Sequence, residues 1–240
     1  MSGFAEVDAL VTDYQRRGGQ PGMVYGILRG GELVHVLGLG ERRLGGAPPD
    51  VDTVFRIASM TKSFTASAVL MLRDEGALAL DDPAARYVPE LGDWQPVTPG
   101  GVPVTIRHLL TMTAGFPTDD PWGDRQQGLP LDEFGRFLTD GVRFAWEPGT
   151  RFEYSNLGYA ILGRIITAVT ETAYQDLIRD RFFGPLGMTR SGYEATDADP
   201  DQLAHGYRQA PASWPRGVWG DGSPQVWEQV PLDPCGAPTR

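Results

Sequence analysis

The chain has 240 residues and a formal net charge of -10, which excludes nucleic acid as its main partner because phosphate backbones are bound by clustered Lys and Arg. Hydrophobic residues make up 41% of the chain, which excludes wholesale disorder, and the single cysteine, Cys235, excludes an internal disulfide. The first residues lack the apolar core of a secretory signal, and no run is long and apolar enough to span a bilayer. We therefore expect a cytoplasmic protein without a membrane partner.

Apolar residues at helical spacing predict a first helix over residues 3–17, ended by two glycines. Two apolar runs, 24–28 and 33–39, are separated by Arg-Gly-Gly-Glu, which predicts a β-hairpin. A helix over about 58–75 follows. It is apolar around much of its circumference, so we expect it to be buried at the centre of the fold.

The middle of the chain is predicted to be helical. Thr105 can cap a short helix over 106–113, and two more apolar patterns predict helices over 156–170 and 173–183. Between the first and second of these three helices, the polar run 118–130 with Trp122 predicts an exposed loop. Residues 195–240 give only weak strand signals.

One feature of the composition points to a site. Of the 21 basic residues, twenty are arginine and one is lysine, Lys62; Asn156 is the only asparagine. Arginine cannot lose its proton in a protein, whereas a buried lysine can. Either the lysine is a chance remnant of a biased composition, or it is kept for chemistry that arginine cannot perform.

Ser59-Met60-Thr61-Lys62 favours the second interpretation. A spacing of three places Ser59 and Lys62 on one face of a helix, within reach of each other. A serine hydroxyl needs an adjacent base to act as a nucleophile, and Lys62 can be that base if burial favours its uncharged form. A helix N-terminus also favours negative charge near Ser59.

A second pair, Tyr154 and Asn156, lies just before another apolar helix. The phenol can relay a proton beside Lys62, and the amide can hold a substrate carbonyl or orient the lysine. The alternative is purely structural: Ser155 caps the helix and Tyr154 packs in the core. Each motif alone is weak evidence.

The segment 52–62, which contains Ser-x-x-Lys, resembles the nucleophile segment of the serine β-lactamase and penicillin-binding-protein superfamily. Three further segments, in matching order and spacing, are similar to its class C β-lactamase-related esterase branch: 107–115 (Arg-His-Leu-Leu-Thr-Met-Thr-Ala-Gly), 148–159 (containing Tyr-Ser-Asn) and 185–188 (Pro-Leu-Gly-Met). The resemblance covers about residues 5–210. It implies an α+β, β-lactamase/transpeptidase-like fold in which helices flank an antiparallel sheet beside an all-helical region.

The resemblance also implies roles for individual residues. Ser59 matches the nucleophile that is acylated, and Lys62 matches its general-base partner. Tyr154 matches the tyrosine that shares proton transfer with that lysine, and Asn156 matches an amide that contacts substrate or orients the lysine. The backbone N–H of Ser59 would supply half of an oxyanion hole. Neither a metal nor a cofactor is implied.

One family element has no match. The family has Lys-Thr-Gly or His-x-Gly near its C-terminus, on a strand that closes the pocket, but no lysine follows Lys62 and His205 lies too early. We therefore expect the C-terminal sheet strands to be missing from this chain and to come from a second chain or a nicked C-terminal fragment. The chain then divides into 1–50 (first helix and strands), 51–194 (helical region with both motifs) and 195–240 (loop-rich tail).

The expected function is that of a serine hydrolase or acyltransferase, active on a small ester or amide, including β-lactam-like and D-amino-acid substrates. One alternative is a transacylase that delivers the acyl group to an amine or alcohol. The other is a non-catalytic scaffold subunit, suggested by the missing third element. His108 is expected to be structural. Tryptophans such as Trp94 can line an acyl pocket or anchor a core.

Overall fold

The computed structural model describes residues 3–92, 94, 98, 100–118, 129–209 and 227–229. The chain forms two compact units. Of the described residues, those up to Arg56 and those from Arg190 onwards form the sheet unit, and those within Ile57–Thr189 form the helical unit. The division into three segments stays a prediction.

The sheet unit begins with helix α1, Ala5–Gly18, which ends where Gly19 adopts a left-handed φ of 62°. Strands β1, Gly22–Arg29, and β2, Glu32–Gly40, pair antiparallel. Gly30 and Gly31 join them, both with positive φ, as the tight two-residue turn of a hairpin requires. The predicted first helix and hairpin are confirmed.

A hydrogen-bonded cluster joins α1 to the hairpin. Asp8 of α1 bonds the Nε2 of His35 at 2.6 Å and accepts a hydrogen bond from the hydroxyl of Tyr25. These bonds hold the pKa of Asp8 below its usual range, while burial and the Asp8 carboxylate raise the pKa of Tyr25 to about 12. His35 therefore connects α1 with β2.

The apolar side of α1 is less buried than its pattern predicts. Val7, Leu10 and Tyr14 are 40%, 65% and 57% exposed, because the helix turns Asp8 rather than these residues towards the hairpin. The tail contributes two short antiparallel strands, β3 (Tyr207–Gln209) and β4 (Trp227–Gln229), which agrees with the weak strand signals.

The helical unit contains five α-helices among its described residues: α2 (Lys62–Asp74), α3 (Ile106–Leu110), α4 (Leu131–Thr139), α5 (Asn156–Thr170) and α6 (Tyr174–Ile178). The described residues of this unit also form three short 3-10 turns and one π-helical turn. The 3-10 turns are Ala58–Thr61, Ala84–Arg86 and Pro89–Leu91, and the π-helical turn is Arg179–Phe183. Together with the antiparallel strands, these helices make the α+β architecture expected from the sequence.

Helix α5 supplies more buried residues to the core of this unit than any other described helix. Its apolar residues from Leu157 to Ile166 are almost all buried, and it packs against α2 and α3. Ser155 caps it by accepting a hydrogen bond from the N–H of Gly158 at 2.9 Å. The structural role proposed for Ser155 is thus confirmed, and it places Asn156 at the first position of the helix.

Helix α2 differs from the prediction in two ways. A 3-10 turn replaces its first four residues, so the regular helix begins at Lys62. It is also buried on one face only, through Thr65, Ala68, Val69 and Leu72, while Leu70 is 37% exposed. Within the described residues, no helix is long and apolar enough to cross a membrane.

The sequence interpretation missed α4. Its signals were present: Pro130 precedes it, Asp132 and Glu133 occupy its first turn, and Phe134 and Leu138 repeat at helical spacing and are buried. The predicted loop over 118–130 lies mostly outside the described residues, as does Trp122.

Candidate active site

Ser59 is presented by a strained turn. Ala58, directly before it, has a φ of 46°, in the left-handed region that costs a non-glycine residue about 1–2 kcal/mol. The 3-10 turn then passes into α2 at Lys62. Ser59 is consequently exposed, whereas Lys62 is half-buried.

Tyr154 reaches the same place through backbone hydrogen bonds to the segment after α3. The N–H of Glu153 donates to the carbonyl of Met112 at 2.9 Å, and the N–H of Gly149 donates to the carbonyl of Thr113 at 2.8 Å. Met112 itself has a left-handed φ of 55°. This segment fixes the extended stretch that leads through Tyr154 into α5.

Three polar atoms form a closed triangle at this point. The Oγ of Ser59 lies 2.5 Å from the hydroxyl of Tyr154 and 3.1 Å from the Nζ of Lys62. The third side, from Lys62 Nζ to the Tyr154 hydroxyl, is 2.9 Å. All three sides are hydrogen-bond distances, so a proton can pass between any two of the three groups.

Asn156 completes the set by accepting a hydrogen bond from Lys62 Nζ through its Oδ1 at 2.6 Å. The structure thus brings together all four residues that the sequence singled out. Tyr154 packs beside Lys62 as well, with its ring centroid 4.9 Å from Nζ. Lys62 Nζ therefore lies within hydrogen-bond distance of Ser59, Tyr154 and Asn156.

Two helix N-termini meet at Lys62. Lys62 is the first residue of α2, and its partner Asn156 is the first residue of α5. Helix N-termini carry partial positive charge, which favours negative charge nearby and disfavours an added cation. This environment suits an alkoxide or oxyanion that develops at Ser59.

The sequence interpretation missed Tyr159. Its ring centroid lies 5.7 Å from Lys62 Nζ, and its hydroxyl donates to the carbonyl of Leu110 at 3.1 Å. Burial raises the pKa of Tyr159, so it keeps its proton. Its spacing of three from Asn156 was the available signal, because residues three apart share a helix face.

His108 lies in the short helix α3 and closes its N-terminus. Thr105 accepts from the N–H of His108 at 3.2 Å, and the Nδ1 of His108 accepts from the N–H of Thr105 at 3.3 Å. This reciprocal pair is a capping box with histidine in the usual place of Glu or Gln. The geometry agrees with the expected structural role.

Trp94 is a core anchor rather than a wall of the site. Its ring packs edge-on against Phe116 and Phe144, and its indole N–H donates to the carbonyl of Leu138 at 2.7 Å. It also lines a small cavity that none of the four site residues borders. Cys235, Trp214 and Trp219 lie outside the described residues, as does the side chain of Trp227.

Comparisons with known proteins identify the family of the chain. The family model described as Beta-lactamase matches residues 7–227. Protein flp of Staphylococcus aureus is 31% identical over 84% of this chain and 41% of its own length. An uncharacterized protein of Mycobacterium tuberculosis is 34% identical over 70% of this chain and 46% of its own.

Comparison with solved structures also finds proteins similar to this chain. The octameric penicillin-binding protein homologue from Pyrococcus abyssi has a TM-score of 0.75 and 29% identity, covering 97% of this chain and 52% of that one. D-alanine carboxypeptidase AmpC from Burkholderia cenocepacia has a TM-score of 0.68 and 29% identity, covering 85% and 53%. The chain therefore spans about half or less of the length of these relatives. Its fold is β-lactamase/transpeptidase-like, and the chain belongs to the beta-lactamase family.

Proposed function

We propose that this chain carries the catalytic serine of an acyl-transfer enzyme that works through an acyl-enzyme on Ser59. The observation that carries the proposal is the triangle of Ser59, Lys62 and Tyr154, whose three sides are 2.5, 2.9 and 3.1 Å. A nucleophile within hydrogen-bond reach of a base, with that base oriented by a further group, is the arrangement that nucleophilic catalysis requires.

In the first step, the Oγ of Ser59 attacks the carbonyl carbon of an ester or amide. Its proton passes to the uncharged amine of Lys62, directly or through the hydroxyl of Tyr154. The carbonyl oxygen takes up the electron pair, and the helix N-terminus behind Ser59 stabilises that negative charge. Asn156 holds the amine in place through the 2.6 Å hydrogen bond.

In the second step, the tetrahedral intermediate collapses and the bond to the leaving group breaks. Tyr154 gives its proton to the leaving oxygen or nitrogen and recovers one from Lys62, since their contact of 2.9 Å allows direct transfer. Water then attacks the acyl-enzyme, and the same groups return the proton to Ser59. An amine or alcohol in place of water would make the protein a transacylase.

The proposed substrates are small esters and amides, including β-lactam-like and D-amino-acid compounds. Support comes from the similar solved structures, which include a penicillin-binding protein homologue and a D-alanine carboxypeptidase. Comparing the products formed with and without an added amine or alcohol distinguishes hydrolysis from acyl transfer.

The test is covalent labelling by a fluorophosphonate probe, followed by intact-mass and peptide mass spectrometry. We expect one adduct, located on Ser59 and absent from Ser59→Ala. Ser63→Ala is the matched control: Ser63 lies on the next turn, and its hydroxyl donates to the carbonyl of Met60. Labelling that persists in Ser59→Ala contradicts the proposal. No labelling of the wild type, with the completing polypeptide present, contradicts it as well and favours a scaffold subunit.

We also propose that further polypeptide, a second chain or a nicked C-terminal fragment, extends the sheet and supplies the third motif. The hairpin supports this, because Leu28, Leu33 and Val36 on its strands are exposed and a two-stranded hairpin alone is marginally stable. Intact mass, a denaturing gel and the native molecular weight test it together. A stable, active monomer of 26.2 kDa contradicts it.

A further inference from the structure

Two tyrosine rings lie beside the amine of Lys62. Tyr154 contacts it with both ring and hydroxyl, whereas the hydroxyl of Tyr159 donates to the backbone of Leu110. Tyr159 therefore offers Lys62 only its ring, with the centroid 5.7 Å from Nζ. An ammonium group within about 6 Å of an aromatic centroid is attracted by the ring.

The position of this ring is fixed from two directions. Tyr159 and Asn156 lie three residues apart in the first turns of α5, so they share the face towards Lys62. The hydroxyl of Tyr159 ties that face to the end of α3 at Leu110, 3.1 Å away. Because Tyr159 is half-buried, this bond and the ring contact are partly protected from water.

We propose that Tyr159 is a positioning residue that acts through Lys62. Its ring stabilises the ammonium that forms when Lys62 takes the proton of Ser59, and it keeps Nζ between Ser59 and Asn156. This proposal rests on the proposed function, in which the proton leaves the Oγ of Ser59 as the bond to the carbonyl carbon forms. Tyr159 itself neither gains nor loses a proton.

Two substitutions separate the ring from the hydroxyl. Tyr159→Phe keeps the ring but removes the hydrogen bond to Leu110. Tyr159→Leu removes the ring but leaves an apolar side chain that fills part of the same space. Tyr14→Leu is the control for loss of a tyrosine, because Tyr14 lies on the exposed side of α1 in the other unit. Circular dichroism and thermal unfolding establish that each variant is folded.

The main measurement is the rate of fluorophosphonate labelling at Ser59 against pH, from neutral to alkaline. Without the ring, the ammonium is less favoured, so the uncharged amine is available at lower pH. For Tyr159→Leu we expect the midpoint of the pH–rate profile to move about 0.5 to 1.5 pH units lower, the size expected for the loss of a cation–π contact. Tyr159→Phe, whatever its rate, should keep the wild-type midpoint, as should Tyr14→Leu.

A second measurement does not depend on catalysis. Lys62 is the only lysine, so isotope-labelled lysine gives a single side-chain NMR signal. Ring currents from Tyr159 should displace this signal in the wild type and in Tyr159→Phe, and the displacement should shrink in Tyr159→Leu. An identical lysine signal in the wild type, Tyr159→Phe and Tyr159→Leu overturns the proposal. A pH profile of Tyr159→Leu that superimposes on that of the wild type also overturns it. Failure of wild-type labelling with a displaced NMR signal would instead overturn the proposed function and leave the ring contact supported.

Discussion

The side-chain amide oxygen of Asn156 lies 2.6 Å from the Nζ of Lys62, closer than either the serine or the tyrosine hydroxyl. The acceptor is an uncharged amide rather than a carboxylate. It therefore orients the amine without adding a negative charge that would hold a proton on it. The choice of amide over acid is a requirement of the proposed mechanism.

The first prediction follows from this requirement. Asn156→Asp keeps the shape of the side chain but introduces a carboxylate beside Lys62, which favours the ammonium and removes the base. We expect labelling of Ser59 near neutral pH to slow by about 100-fold or more, the usual contribution of a general base.

Asn156→Ala is the matched control, since it removes the hydrogen bond without adding charge. It should slow labelling by about tenfold, the equivalent of one ordinary hydrogen bond. If Asn156→Asp labels as fast as Asn156→Ala, the charge of the acceptor does not matter and the requirement for an uncharged amide is wrong.

The second prediction concerns the base itself. Lys62→Arg preserves the positive charge but not the chemistry, because arginine does not lose its proton in a protein. We expect the rate of Ser59 labelling to fall by about 100-fold to about 10,000-fold. Thermal unfolding is measured alongside to show that the variant is folded, and near-wild-type labelling by it would refute the general-base role.

The sequence was informative where a residue type is rare and its spacing has a chemical meaning. Lys62 and Asn156 are each the only residue of their kind, and each lies two or three residues from a hydroxyl side chain. The spacing of three between Ser59 and Lys62 brings those two groups together locally, whatever the rest of the fold does. The spacing of two only places Tyr154 and Asn156 near the start of the same helix. What these spacings cannot give is the closure of the triangle between Ser59 and Tyr154, which are 95 residues apart.

The sequence was less informative where tertiary contacts decide the outcome. The periodicity of the second helix continued through Ala58, but the left-handed φ there breaks the helix and presents Ser59. The apolar stripe of α1 predicted burial, yet Leu10 is exposed because Asp8 bonds the hairpin. Tyr159 lies within the predicted helix over 156–170, but its contact with Lys62 depends on how two distant segments pack.

The third prediction concerns a buried hydroxyl pair that holds α2 in place. Thr65, one turn after Lys62, shares a 2.8 Å hydrogen bond with Tyr174 of α6, and both side chains are buried. Thr65→Val and Tyr174→Phe each leave the other hydroxyl without this partner. Each should lower the free energy of unfolding by about 1–3 kcal/mol, measured by urea denaturation.

The double variant distinguishes the hydrogen bond from simple packing. With both hydroxyls removed, neither is left buried without the other, so the double variant should lose less stability than the sum of the two single losses. Strict additivity would show that the two hydroxyls do not interact, and the pair would then have no part in fixing α2.

The last prediction is a dependence of stability on pH that originates at His108. Burial is the largest cause that lowers the pKa of this imidazole; Arg107 adds to it, and Asp81 acts against it. Because the folded state disfavours the charged ring, the unfolded chain binds the proton more readily. The contribution of His108 to stability is therefore complete above its ordinary pKa of about 6.5 and is lost as the pH falls below that value.

The measurement is the free energy of unfolding of the wild type minus that of His108→Gln, from about pH 5 to about pH 8. Other titrating groups, such as Asp8 and Tyr25, contribute equally to both proteins and cancel, and glutamine does not titrate. The difference should rise with pH, because protonation of the ring also removes the acceptor that Nδ1 provides for the N–H of Thr105. A flat difference, or one that falls with pH, would mean that the ring is charged without cost in the folded state. The capping box would then not depend on a neutral histidine.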